Sequence, residues 1–235
     1  MPALSASAAV TVILVHGAWA DGSSWNKVIS RLQHKGVNVV AVQNPLTSLA
    51  DDVAATRRAI AVAPGPVVLV GHSWGGAVIT QAGDDPKVKA LVYVAAFAPP
   101  VGMSVNDMGK GTPSSPGAKE IVANEGYLTI SKMGIVDDFA QDLPKSESEV
   151  LAATQGPAAA KIFDDKITYA AWAHKPSWYL VSTHDRMIDP DAERAMARAI
   201  NAAHIIEIAA GHVSMLSKPD TVTSSIEAAI EIATK

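Results

Sequence analysis

A serine held between glycines at the end of an apolar run is the most constraining feature of this chain. Pro66-Val67-Val68-Leu69-Val70 leads into Gly71-His72-Ser73-Trp74-Gly75-Gly76, and Ala77-Val78-Ile79 follows. β-branched residues before and helix-compatible residues after place Ser73 at a sharp strand-to-helix turn, the nucleophile-elbow spacing G-x-S-x-G. Such a turn holds its serine in a strained backbone conformation. Side chains two positions before or after would collide where strand and helix cross. A strand feeding a helix in this way is one step of a βα alternation, and where that alternation repeats along a chain it implies a mostly parallel sheet with helices packed on it.

The rest of the sequence repeats that rhythm. Apolar, β-rich runs at 10–15, 37–42, 67–70, 88–95, 178–183 and 205–208 alternate with helical patterns at 24–35, 49–62, 75–82, 190–200 and 219–232. Gly36 stands where a C-terminal cap belongs. About six strands covered on both faces are expected. Between 98 and 176 the rhythm breaks: Pro, Gly and Ser cluster at 99–117, followed by short helical patches near 118–124 and 146–153. An excursion leaving one strand end and returning to the next sits over the carboxyl edge of the sheet, where open α/β sheets bind ligands. Residues 98–176 therefore read as a small, mainly helical cap. Residues 1–97 with 177–235 form the core of a single structural domain.

A serine hydroxyl attacks only when a base takes its proton, and the base needs an acid to orient it. Among the seven histidines, His212 follows the last strand-like run and lies on a loop beyond a strand end. His34, His72 and His204 suit surface or packing roles. His174 and His184 are harder to dismiss, although His184 precedes Asp185 in a strand-end segment where neighbouring side chains point to opposite faces. Asp185 follows the run 178–183 and is the acid assigned to His212. Its rival, Asp189, stands before Pro190-Asp191-Ala192-Glu193 and reads as a helix N-cap. For the oxyanion that forms during acyl transfer, the Trp74 amide is one main-chain donor. The Ala18 amide, in the turn His16-Gly17-Ala18-Trp19, is the second. His16 reads as a structural hydrogen-bonding residue.

From the His-Gly turn through the elbow to the late Asp and His, the chain resembles the α/β-hydrolases, and the resemblance spans nearly its whole length. It implies a three-layer α/β-hydrolase fold with the triad order Ser73, Asp185, His212, and the first strands of a full-size hydrolase sheet are missing. The spacing His16-Gly17-Ala18-Trp19-Ala20-Asp21-Gly22-Ser23-Ser24-Trp25 is similar to the branch of plant methylesterases, hydroxynitrile lyases and their bacterial relatives. In lyases of that type a Lys follows the catalytic His and a Thr follows the first His of the oxyanion turn. Here those places hold Val213 and Gly17, so hydrolysis of a small-molecule ester is the stronger implication. Carbon–carbon bond cleavage and a low-turnover ligand sensor are the alternatives.

The candidate pocket wall is apolar: Trp19 and, from the cap, Met103, Met108, Met133 and Phe139, each of which could equally be core. Composition excludes other classes. The 235 residues are 49% hydrophobic and 18% charged, enough for one well-packed domain that buries about 70% of its unfolded surface. A net charge of −4 with scattered Lys and Arg offers no face to nucleic acid. The apolar stretch 8–15 is too short to span a bilayer, and its strand role leaves no cleavable signal, so a cytoplasmic, non-membrane protein is expected. Without cysteine there is no thiolate metal site. With no H-E-x-x-H or dinucleotide fingerprint either, neither metal nor cofactor is expected. A homodimer is compatible with the sequence, which leaves the oligomeric state open.

Overall fold

The computed structural model describes residues 9–111 and 114–234. Chain order begins with β1 (Thr11–Val15), α1 (Asn26–His34), β2 (Asn38–Val42), α2 (Leu49–Val62), β3 (Val67–Ser73), α3 (Trp74–Ala82) and β4 (Val88–Ala96). The excursion that follows contains α4 (Val105–Met108), β5 (Ile121–Asn124), β6 (Tyr127–Ile130), α5 (Lys132–Gly134), α6 (Lys145–Thr154) and β7 (Ala158–Ala159). The chain returns through β8 (Ser177–Ser182), α7 (Pro190–Ala199), β9 (His204–Ile208), α8 (Ser214–Ser217) and α9 (Pro219–Ala233).

Six of these strands form one sheet in the order β2-β1-β3-β4-β8-β9, every pair parallel. Its central strands are buried on both faces, and for that reason β1, β3 and β4 read as continuous apolar runs instead of alternating ones. From β1 the chain steps outward to β2, then reverses past β1 to β3. With right-handed crossovers, that reversal puts α1 and α2 on opposite faces. Accordingly α1 packs with α9 on one side, and α2 with α3 on the other. The reversal also opens a crevice at the carboxyl ends of β1 and β3, and the candidate site lies there.

Local sequence accounts for the helix ends. Ser48 caps α2 by accepting from the Asp51 amide, and Asp189 caps α7 by accepting from the Asp191 amide, with Pro190 in the first turn. The expected helical segments therefore appear within a residue or two of their sequence bounds, which is the usual fraying of an element end.

The excursion differs from its sequence reading in one respect. Most of its regular structure is helical, but β5, β6 and β7 form a separate three-stranded antiparallel sheet. The patch 118–124 is strand from Ile121 onward. Asn124 pairs with Tyr127 across a two-residue turn in which Glu125 and Gly126 both have positive φ, 47° and 81°. That is the turn geometry a tight hairpin prefers. The Glu-Gly dipeptide signals it less strongly than Asn-Gly or Asp-Gly would. This small sheet rests on the core: the Ala159 amide donates to the Leu46 carbonyl at 2.9 Å, and the Trp19 indole donates to the Leu128 carbonyl at 2.9 Å.

Candidate active site

Ser73 is the last residue of β3 and the N-cap of α3, with φ 52° and ψ −121°. A non-glycine residue in this region is strained and persists only where its surroundings over-determine it. Here they do. A Cβ on Gly71 would lie 2.5 Å from the Gly75 carbonyl oxygen, and one on Gly75 would overlap the Val15 carbonyl oxygen. Gly76, which the elbow pattern leaves open, is equally constrained, because a Cβ there would overlap the Phe97 carbonyl oxygen. The Phe97 amide in turn donates to the Ser73 carbonyl at 3.1 Å. Ser73 is 7% exposed.

Opposite the elbow, the turn after β1 comes close to the serine: a Cβ on Gly17 would stand 2.7 Å from Ser73 Cβ. Trp19, two residues on, also has positive φ, 59°. Ala18 is buried between them. The Trp74 amide opens α3, where no preceding turn supplies an acceptor and the helix dipole presents its positive end. Two main-chain segments carrying candidate oxyanion donors thus converge on Ser73.

His212 and Asp185 meet as buried partners. His212 Nδ1 and Asp185 Oδ2 are 2.6 Å apart, with side-chain exposures of 1% and 0%. Asp185 Oδ1 accepts from the Met187 and Ile188 amides at 2.6 and 2.9 Å. The carboxylate is therefore fixed by its own loop while it orients the imidazole. Asp189 takes the capping role described above, and no hydrogen bond or ion pair among the described residues joins it to His212. On the elbow side, His72 Nε2 donates to the His212 carbonyl at 3.0 Å, and the two rings lie 4.6 Å apart. Burial, with the neighbouring His212 next, holds the His72 ring well below the usual histidine range. A neutral His72 thus ties the His212 loop to the residue before Ser73, a link that packing arguments from sequence do not supply.

His16 serves structure. Its Nε2 accepts from the Asn44 amide at 2.9 Å while Nδ1 faces the Gly17 carbonyl at 2.8 Å, so the ring is neutral with its proton on Nδ1. Burial lowers its pKa in the same sense. Trp74 donates its indole N–H to Asp52 Oδ2 at 2.7 Å, and the Leu46 amide donates to Oδ1 at 2.8 Å. Burial raises the Asp52 carboxyl to about 6 even so. Sequence reasoning passed over Asp52, because a carboxylate in the first turn of a helix is ordinarily a surface residue.

The proposed wall residues divide. Met103 and Met108 line an apolar groove of about 610 Å3 with Phe97, Met187, Ile188 and Met196. That groove borders the elbow through Phe97 and the acid loop through Met187 and Ile188. Trp19 and Trp74 both pack on Phe163, with ring centroids 5.8 and 5.7 Å from it. Phe139 is buried edge-on to His212 at 5.3 Å. Met133 does not belong: it is 64% exposed, because the turn of α5 points it outward. Met187 stands two residues after the assigned acid, whereas Phe97 reaches the elbow only because β4 pairs with β3. Among the described residues no group of His, Asp or Glu is arranged to hold a metal ion. No helix among them is long and apolar enough to cross a membrane.

Comparison with known proteins gives consistent likenesses. The sequence pattern of the alpha/beta hydrolase family matches residues 12–224. An alpha/beta hydrolase of Aspergillus novofumigatus is 30% identical over 92% of this chain and 94% of its own. A pyrethroid hydrolase from Sphingobium faniae superposes with a TM-score of 0.80 at 20% identity, over 94% of this chain and 98% of its own. A methylesterase from Arabidopsis superposes with a TM-score of 0.79 at 18% identity, over 94% and 99%.

Proposed function

This chain belongs to the alpha/beta hydrolase family, and from that premise we propose that it is a serine esterase acting on small-to-medium, mainly apolar carboxylic esters. One observation carries the reading: a fully buried Asp185–His212 pair lies against the strained elbow that presents Ser73. A buried carboxylate–imidazole pair beside a serine on a strand-to-helix turn is the arrangement that acyl transfer needs.

In this mechanism Ser73 Oγ attacks the ester carbonyl carbon as His212 Nε2 takes the hydroxyl proton. Asp185 holds Nδ1–H, keeping Nε2 free as acceptor and stabilising the imidazolium. The Ala18 and Trp74 amides donate to the oxyanion of the tetrahedral intermediate. Collapse expels the alcohol, to which His212 returns the proton, and leaves Ser73 acylated. Water, deprotonated by His212, then attacks the acyl carbon and releases the acid and free Ser73. The groove lined by Met103, Met108 and Met187 suits an apolar acyl or alcohol group, and the pyrethroid hydrolase and methylesterase likenesses support an ester substrate.

Initial rates on p-nitrophenyl esters of increasing acyl length, with wild type beside Ser73→Ala, test this. Turnover in wild type and its loss by several orders of magnitude in the variant is the expected result. Met103→Trp should shorten the preferred acyl chain while Met133→Trp leaves it unchanged. Equal turnover by Ser73→Ala would reject the serine mechanism.

A further inference from the structure

Behind the Asp185–His212 pair lies a second carboxyl that the mechanism above does not use. Glu193, on α7, is 0% exposed. Its Oε2 accepts from the Ser182 amide at 3.1 Å at the end of β8, while Oε1 has no N–H or O–H donor among the described residues. Ser182 joins Glu193 to the acid loop, since the Ser182 carbonyl accepts from the Asp185 amide at 3.1 Å, so both carboxyls are held at the same buried end of β8. Asp185 already accepts from two loop amides and His212, which leaves one of its roughly four lone-pair sites open. Two ionised carboxyls cannot share one water-free site, since burial and mutual repulsion both oppose the second charge. A proton on Glu193 removes the conflict and gives the orphaned carboxyl a donor to offer Asp185.

The charges facing this pair come from several elements. Tyr179 on β8 is buried, with its hydroxyl donating to the Ala96 carbonyl, and stays neutral, its pKa raised first by burial and then by Glu193. Arg194 on α7 points away to Glu207 of β9 at 2.8 Å and to Asp191 at 2.8 Å, so its charge is answered at the surface. His72 on β3 and His212 complete the set, and His72 is neutral. Burial, followed by the adjoining Asp185 charge, pushes the Glu193 carboxyl well up, in the direction the geometry requires.

We propose that Glu193 is a positioning residue that carries a proton and donates it in a hydrogen bond to Asp185, drawing off part of the negative charge that holds the His212 imidazolium. The proposal rests on the serine-esterase reading for its meaning in catalysis. Its physical content, a charge-tuning hydrogen bond, does not depend on turnover. With the donor present, Asp185 orients His212 through a carboxylate whose charge is shared with a second hydrogen-bond partner.

The decisive measurement is the NMR titration of the His212 ring, assigned by its loss in His212→Asn, in wild type, Glu193→Gln and Glu193→Met. The Gln amide N–H can donate to Asp185 at any pH, so its midpoint should coincide with wild type whatever happens to kcat. Met fills the volume without a donor, leaving the full Asp185 charge on His212, and its midpoint should rise by about one pH unit. The acid limb of kcat/KM on a p-nitrophenyl ester should move with it. A fall of the midpoint in Glu193→Gln would mean that Glu193 is ionised and would overturn the proposal. A Met midpoint equal to wild type would leave Glu193 a filler and overturn it too. Should Glu193→Met not fold, infrared spectroscopy decides: the C=O stretch of a protonated buried carboxylic acid must be present in wild type and absent in Glu193→Gln. Loss of hydrolysis on Ser73→Ala tests the esterase reading separately, and the titration stands whether or not that reading survives.

Discussion

Replacing Asp185 with Asn should cost far more than one hydrogen bond. In the wild type, Oδ1 is held by the Met187 and Ile188 amides and Oδ2 faces His212 Nδ1. An Asn amide has one acceptor end, and the two loop N–H groups outnumber the single imidazole contact. The amide oxygen therefore stays on the loop and the NH2 turns toward His212. The ring must then accept at Nδ1, which places its proton on Nε2, the atom that takes the Ser73 proton in the proposed mechanism. The opposite orientation would set an NH2 against two buried N–H donors, each costing roughly 1–3 kcal/mol when left unmet. A wrong tautomer of this kind lowers kcat by about 10^4, or about 5 kcal/mol of transition-state stabilisation. Volume and the loop hydrogen bonds are kept, so the loss should appear in kcat with a far smaller change in unfolding free energy. Steady-state hydrolysis of a p-nitrophenyl ester together with urea denaturation of both proteins provides the test. A kcat within tenfold of wild type would refute the tautomer reasoning and return Asp189 to consideration as the acid.

Asp52 makes stability pH-dependent in a defined window. Burial raises its carboxyl to about 6, above the unfolded value near 4. The folded protein thus binds this proton more tightly, so Asp52's contribution to stability is full below about pH 4 and is lost as pH rises through about 6, by up to ~3 kcal/mol. Asp52→Asn should flatten that decline in unfolding free energies measured from pH 4 to 7, and curves parallel to wild type would contradict it. Gly75→Ala forces a methyl onto the Val15 carbonyl and should cost about 2–3 kcal/mol. Gly156→Ala, with nothing within 4 Å of the added carbon, should stay within about 0.5 kcal/mol of wild type, both read from denaturant midpoints. Equal midpoints for the two variants would remove the steric account of the elbow.

Much of the core was legible because its signals are local. The central strands are buried on both faces, so continuous apolar runs mark them without any knowledge of neighbours. The helices of the core announce their ends through Ser48, Asp189, Pro190 and Pro219. The hairpin of β5 and β6 was hidden because its strands are short and half-exposed, and a four-residue segment cannot display a period that separates strand from helix. Met133 was misplaced for a related reason: an apolar side chain in a short turn carries no information about which way the turn faces. Gly76, Asp52 and Glu193 could not be read as special, since the carbonyl, indole and carboxylate that constrain them lie 21, 22 and 8 residues away in sequence.

By itself the sequence determined the strand-turn-helix at Ser73, the parallel α/β architecture, and the residue types available for acyl transfer in their chain order. These follow from backbone sterics and short-range periodicity, which act within a dozen residues. Tertiary structure alone decided that Asp185 meets His212 as buried partners and that His72 ties the His212 loop to the elbow. It also decided that Glu193 stands behind the acid, and that the Met-lined groove opens beside Phe97. Those outcomes depend on crossovers bringing β1, β3, β8 and β9 into one sheet, and on burial setting which carboxyls keep a proton. Neither burial nor long-range pairing can be computed from a residue's immediate neighbours.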